Sequence, residues 1–90
     1  MATRFKVSPD AVVSRTAPDE LVLVHLQTDR IFVLNRTAAR IWELLSEQHD
    51  EAAMVRRLVD EFEVNEPALA DDIAELLATL TREALILPDD

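Results

Sequence analysis

Two histidines, three serines and a loose set of carboxylates are the groups from which this 90-residue chain could assemble a reactive centre. His25 falls in the middle of an apolar run and His49 at a helix end. No third ligand or HxxxH-type spacing accompanies them, so no metal site is expected. His25 reads as a polar residue on a pleat, and His49 as a partner for the free carbonyls at a helix C-terminus. Ser8, Ser14 and Ser46 lack the Gly-flanked strand-to-helix elbow of a serine nucleophile. Asp71, Asp72 and Glu75 could present an acid pair to a substrate. Their position beside an apolar stripe near a helix N-terminus favours a solvated acidic face instead. With no cysteine, the chain has no disulfide, thiol nucleophile or thiolate metal site. With no glycine, it cannot form a Gly-rich phosphate cradle or dinucleotide fingerprint. No catalytic residue and no cofactor are expected.

The charge balance excludes further classes. Eighteen acidic residues against nine basic ones give a formal charge of −9, a field that repels nucleic acid and anionic membrane surfaces. No apolar run approaches the roughly 20 residues of a membrane span. The N-terminal MATRFKVSPD has no hydrophobic signal region, so a cytoplasmic location is the default. Length and the absence of linkers or repeats imply one domain over 1–90, and 49% apolar residues suffice for its core.

The elements follow from pattern. Ser8-Pro9-Asp10 is a turn, Val12 to Arg15 a first strand, and Ala17-Pro18-Asp19-Glu20 a second turn. Leu21 to Gln27 is a β-branched and Leu-rich second strand. Thr28-Asp29 closes a tight hairpin into a third strand, Arg30 to Leu34, Asp being among the residues that tolerate positive φ. Asn35 is an N-cap for a helix from Arg36 to about Gln48, with Ala38, Ile41, Trp42 and Leu45 inward. Trp42 is therefore core rather than a stacking platform. His49-Asp50 breaks this helix. Asp50 caps a second one, Glu51 to Phe62, with Val55, Leu58, Val59 and Phe62 inward. After Val64-Asn65-Glu66-Pro67, with Pro in the first turn, a third helix runs to about Arg82 on Leu69, Ile73, Leu76, Leu77 and Leu80. Leu85-Ile86-Leu87 packs back or adds a short strand. The fold class is α+β: a three-stranded antiparallel sheet followed by three helices, winged helix-turn-helix-like.

That topology permits DNA binding, but a recognition helix must bring basic or amide side chains to the duplex. From Pro67 to Thr81 there is no basic residue, and four carboxylates lie between Glu66 and Glu75. The third strand is the other anomaly. Sheet edges are normally blunted by Pro, Lys or inward charge, whereas Arg30-Ile31-Phe32-Val33-Leu34 has one charge, at its start. Such a strand is either covered by the fold or kept free to accept a partner strand.

Ile31-Phe32-Val33-Leu34-Asn35, followed by Thr37-Ala38-Ala39-Arg40-Ile41-Trp42-Glu43-Leu44-Leu45, closely resembles the PqqD-like family, and the likeness extends over nearly the whole chain. Members act as peptide chaperones or leader-recognition domains for ribosomally made, post-translationally modified peptides. They have a winged helix-turn-helix fold that no longer binds DNA. The resemblance implies that a precursor's leader peptide adds as an antiparallel strand to the third strand, in a groove against the third helix. The backbone of Arg30, Ile31, Phe32, Val33 and Leu34 would supply the ladder. Leu69, Asp72, Ile73, Leu76 and Leu80 would line the other wall. Stand-alone members of this length resemble the leader-binding half of split lasso-peptide systems, in which a separate cysteine protease removes the leader. A quinone-cofactor or other modifying pathway is the alternative setting. Gly is frequent at the hairpin turn of the family, whereas Thr28-Asp29-Arg30 stands here. Whether Ile31 and Val33 or Phe32 and Leu34 face the groove stays open.

The leading expectation is thus a non-enzymatic protein that binds a precursor leader and delivers it to a processing protease or modifying enzyme, as a monomer or weak dimer. A winged-helix DNA-binding regulator is the second reading. A structural module whose free edge pairs with its own copy is the third.

Overall fold

A computed structural model describes residues 4–47 and 50–88. The expectations for Gln48 and His49 lie outside the described residues. Five strands and three helices follow one another as β1 (Phe5–Val7), β2 (Ala11–Ala17), β3 (Glu20–His25), β4 (Ile31–Leu34), α1 (Arg36–Ser46), α2 (Glu51–Phe62), α3 (Glu66–Arg82) and β5 (Ile86–Pro88). The antiparallel sheet β2-β3-β4, followed by three helices, is the expected arrangement, and β4 is the strand read above as the third. The short strand expected as one option at Leu85-Ile86-Leu87 forms at Ile86–Pro88, but in a second sheet that was not expected. Phe5–Val7 is a strand, and it pairs antiparallel with Ile86–Pro88, tying the two ends of the chain together.

Each helix start is fixed by a side chain that satisfies a backbone donor of the first turn. Asn35 accepts from the Ala38 N–H at 2.9 Å, Asp50 from Ala53 at 2.8 Å and Asn65 from Ala68 at 3.3 Å. Pro67 sits in the first turn of α3, where its missing N–H leaves no bond unmade. Among the described residues of this glycine-free chain, Asp29, Glu63 and Ala84 take left-handed backbone angles. Glu63 does so at the C-cap of α2, its N–H returning to the Val59 carbonyl.

The core lies between the sheet and the helices. Leu21 and Leu23 of β3 point into it with Leu34 of β4, against Ile41, Trp42, Leu44 and Leu45 of α1 and Leu69, Ile73, Leu77 and Leu80 of α3. Trp42 is buried, as expected. Two helix faces hold the expected residues and bury others beside them. In α1 Ala39 and Leu44 are buried and Ala38 only half-buried. In α2 the deeply buried pair is Met54 and Leu58, and Val55, Val59 and Phe62 form a half-buried flank. Packing against more than one neighbour widens the buried stripe beyond the row that one-helix periodicity marks. Burying a single leucine in such a core contributes about 2 kcal/mol.

The β3–β4 connection also differs from the tight two-residue turn. β3 ends at His25, not Gln27. The His25 N–H donates to the Arg30 carbonyl at 3.0 Å, and the Asp29 N–H returns to the His25 carbonyl at 2.8 Å. Four residues, 26–29, form the loop, with Asp29 at φ 58°. His25 is buried, and its Nδ1 accepts the Gln27 N–H at 3.2 Å, so the imidazole builds the loop. β2 likewise runs from Ala11 to Ala17, longer than Val12 to Arg15, with a register shift between Arg15 and Ala17.

Candidate functional site

β4 pairs with β3 along one side and with no other strand among the described residues, so it is a sheet edge. Its register, Leu21–Leu34, Val22–Val33, Leu23–Phe32 and Val24–Ile31, decides where each side chain points. Phe32 and Leu34 stand on the same face as Leu23 and Leu21, toward the core; Leu34 is buried and Phe32 half-buried. Ile31 and Val33 point the other way and are 66% and 63% exposed. Phe32 and Leu34 therefore face the helices, and Ile31 and Val33 the opposite side of the sheet.

Antiparallel pairs alternate between hydrogen-bonded and non-hydrogen-bonded. With His25 bonded to Arg30, the hydrogen-bonded pairs are Leu23–Phe32 and Leu21–Leu34. The N–H and C=O of Ile31 and Val33 then point out of the sheet edge, where another strand could bond them.

Near this edge lie the C-cap of α3 and, after the end of β4, the start of α1. At one end, Arg30 Nη1 contacts Glu83 Oε1 at 3.0 Å, joining the start of β4 to the C-cap of α3. The same guanidinium lies 5.5 Å from the centre of the Phe32 ring. At the other end, a cavity of about 210 Å³ opens between the start of α1 and the N-terminal turns of α3. Thr37, Phe62, Val64, Ala68 and Leu69 give it mostly apolar walls, with Asn65 and Asp72 as its polar groups. Arg36 sits 5.1 Å above the Phe62 ring and braces that wall. An ion pair thus marks the start of the β4 edge, and an apolar pocket lies beyond its end.

The residues expected on the far wall divide by depth. Leu69 lines the pocket, Asp72 stands exposed at its rim, and Leu76 is half-buried. Ile73 and Leu80, expected on the same wall, are instead buried in the core, where helix packing leaves them no exposed surface. Thr37, Phe62, Val64, Asn65 and Ala68 were not anticipated. Of these, Val64 carried a signal, an apolar residue in an otherwise polar boundary that is 43% exposed.

The candidates for chemistry are dispersed. Ser8 is a turn residue: its N–H donates to the Leu85 carbonyl and its hydroxyl accepts the Asp10 N–H. The Ser46 hydroxyl donates to the Trp42 carbonyl, and Ser14 is exposed on β2. Asp71, Asp72 and Glu75 form a solvent-exposed acidic face. The titration most clearly displaced belongs to a structural pair joining α1 to α2. Hydrogen bonds from Arg40, at 2.7 and 2.9 Å, hold the Glu61 carboxyl below the usual carboxylate range and raise Arg40 in turn. No helix among the described residues is long and apolar enough to cross a membrane.

Two solved structures are similar to the whole fold. One is TbiB1 in complex with the TbiA(beta) leader peptide, 33% identical, covering 90% of this chain and 93% of that one with a TM-score of 0.83. The other is a lasso peptide synthetase B1 complexed with the leader peptide, 29% identical, covering 94% and 99% with a TM-score of 0.84. No curated protein matches. Residues 20–86, from the start of β3 to the start of β5, match the family of coenzyme PQQ synthesis protein D, PqqD. With that match spanning well over half of its length, the chain belongs to the PqqD family.

Proposed function

We propose that this chain binds the leader region of a ribosomally made precursor peptide in lasso-peptide biosynthesis, taking it as an antiparallel strand onto β4 in the cleft against α3. The observation that carries the reading is the uncharged edge of Ile31–Leu34, with the outward-pointing backbone groups of Ile31 and Val33 beside an apolar pocket. Main-chain bonds supply affinity that tolerates sequence variation, and side-chain pockets supply selection. Alternate residues of the guest face Phe32 and the pocket at Thr37, Leu69 and Asp72. Leaders bound to the two similar B1 proteins support the assignment.

The protein acts in the cytoplasm without chemistry of its own and hands the bound precursor to a separate enzyme, a leader-removing cysteine protease or another modifying enzyme. The acidic α3, with no cation from Pro67 to Thr81, disfavours the DNA-binding alternative.

A titration of fluorescently labelled leader peptide tests the reading. Wild-type protein gives saturable binding, and Val33→Pro, which deletes one outward N–H without touching the bonds to β3, loses at least about 100-fold in affinity. An intact fold with unchanged affinity in that variant overturns it.

A further inference from the structure

An arginine stands at each end of β4, and each guanidinium lies over a phenylalanine ring. Arg30 is 5.5 Å from the centre of Phe32, and Arg36 is 5.1 Å from that of Phe62. Their charges are treated differently. Arg30 is held by Glu83 at 3.0 Å. Arg36, the first residue of α1 and exposed, has no carboxylate partner among the described residues, in a chain with twice as many acids as bases.

Arg36 lines a second cavity, of about 160 Å³, with Arg15, Arg40, Asp19, Glu43 and Glu61. Arg15 is bound by Glu43 and Arg40 by Glu61, which leaves Arg36 as the arginine of this cavity not committed to a carboxylate. Phe62 belongs to the walls of both this cavity and the apolar pocket of Thr37 and Leu69. A side chain filling the apolar pocket therefore has an unpaired cation one aromatic ring away. The amino end of α1 adds partial positive charge in the same place. Strand direction decides which part of a guest arrives there. A guest antiparallel to β4 has its C-terminal end at Arg30 and its N-terminal end at Leu34, where α1 begins. The guest residues nearest Arg36 are thus the few upstream of the one paired with Val33.

We infer that Arg36 is a specificity-determining residue of the peptide site: it takes the carboxylate of an Asp or Glu that lies just upstream of the guest's paired stretch, beside the side chain seated in the apolar pocket. This rests on the peptide-binding reading above. Stacked on a ring, a guanidinium still presents its in-plane N–H donors, two of which match a carboxylate. A Lys or Arg at that guest position meets an unpaired like charge and is rejected. The protein's charge of −9 disfavours further acids elsewhere in the guest. The selected guest is a strand with an acid at its amino end, not a generally acidic peptide.

The test titrates the full chain with the labelled precursor leader and with versions in which each Asp or Glu upstream of the paired stretch becomes Asn or Gln. One such change is expected to weaken binding about tenfold, as loss of a charge-assisted pair does. Arg36→Gln, at an exposed position, is expected to lose the same factor and to bind the acidic and amide peptides alike, so that the two changes together cost no more than either. Arg36→Glu is expected to prefer a peptide with Lys at that position, a reversal that a purely structural role against Phe62 would not produce. Undiminished affinity for every amide peptide overturns the inference, as does equal discrimination by wild type and Arg36→Gln, or tight binding of a leader with no acid in that stretch. Failure of wild type to bind leader at all is a different result, and removes the peptide-binding reading first.

Discussion

β2 and β4 flank the same central strand, yet they end the sheet in different ways. β2 carries Ser14, Arg15 and Thr16, breaks register between Arg15 and Ala17, and is followed by Pro18. Its Arg15 is held by Glu43 of α1 at 3.0 Å and donates to the Pro18 carbonyl at 2.6 Å. Bulges, charge and Pro are the devices that stop a strand from templating another. β4 has none of them within Ile31–Leu34, and its register with β3 is unbroken. β4 is thus the edge of the three-stranded sheet that stays open to another strand, as the proposed leader binding requires.

Proline placed at matched positions gives the largest test of that contrast. Val13 on β2 and Ile31 on β4 both turn their N–H outward, because the pairs that bond to β3 are Val12–Val24 and Ser14–Val22 on one side and Phe32 and Leu34 on the other. Ile31→Pro is expected to weaken leader binding by about 100-fold, the equivalent of about 2.7 kcal/mol in lost ladder and altered backbone. Val13→Pro is expected to leave it within about twofold. Equal losses in a titration would erase the distinction between the edges.

A second contrast lies within β4, between its two faces. Phe32 presents a half-buried ring to the cleft under the Arg30 guanidinium, while Val33 points to the other side of the sheet. Phe32→Ala should lower leader affinity about tenfold and cost about 2 kcal/mol in stability. Val33→Ala should alter affinity for the isolated peptide by less than about twofold. Calorimetric titration with the same peptide reads both; a larger effect at Val33 would reverse the assigned face.

Stability can be separated from binding at a residue remote from both edges. Ala84 holds φ at 59° in the turn between α3 and β5, a conformation that is unfavourable for a residue with a Cβ. Ala84→Gly is expected to raise stability by about 1 kcal/mol in thermal melts, the relief of strain outweighing the entropy that glycine adds to the unfolded chain. Leader affinity should not change, and a shift in affinity would show that the turn communicates with the cleft.

The residues explain what could be read in advance and what could not. Asn35, Asp50 and Pro67 announce helix starts through local chemistry, so the helices were legible almost to the residue. β1 was not, because three residues with Lys6 in the middle have no signal of their own; their partner, Ile86–Pro88, lies at the far end of the chain. The edge of β4 was legible as an absence of charge, but its faces were not. An all-apolar Ile-Phe-Val-Leu run has no period-two contrast, and only the pairing of Phe32 with Leu23 orients it. The pocket was hidden for a related reason: it joins Thr37, Phe62 and Leu69 from three helices, which no single stripe brings together.

The smallest effect concerns how the protected edge is anchored. Arg15 of β2 reaches Glu43, Glu43 lies 3.9 Å from Arg40, and Arg40 binds Glu61, so a chain of ion pairs connects β2 through α1 to α2. Among the described residues, the ion pair beside β4 is Arg30–Glu83, at its start. Glu61 titrates lower folded than unfolded, chiefly through the Arg40 hydrogen bonds. It therefore binds fewer protons in the native state, and its stabilisation is present above the unfolded carboxylate range of about pH 4 and lost as pH falls through the depressed folded value. Because both side chains are partly exposed, the contribution is at most about 1 kcal/mol. Glu61→Gln should cost that much at pH 7 and flatten the decline of stability below about pH 4, measured by urea unfolding across pH. Hydrogen exchange should then quicken in β2 more than in β4. Equal exchange in the two strands would mean that the ion-pair chain does not hold the protected edge, leaving the bulge and Pro18 as what distinguishes it from β4.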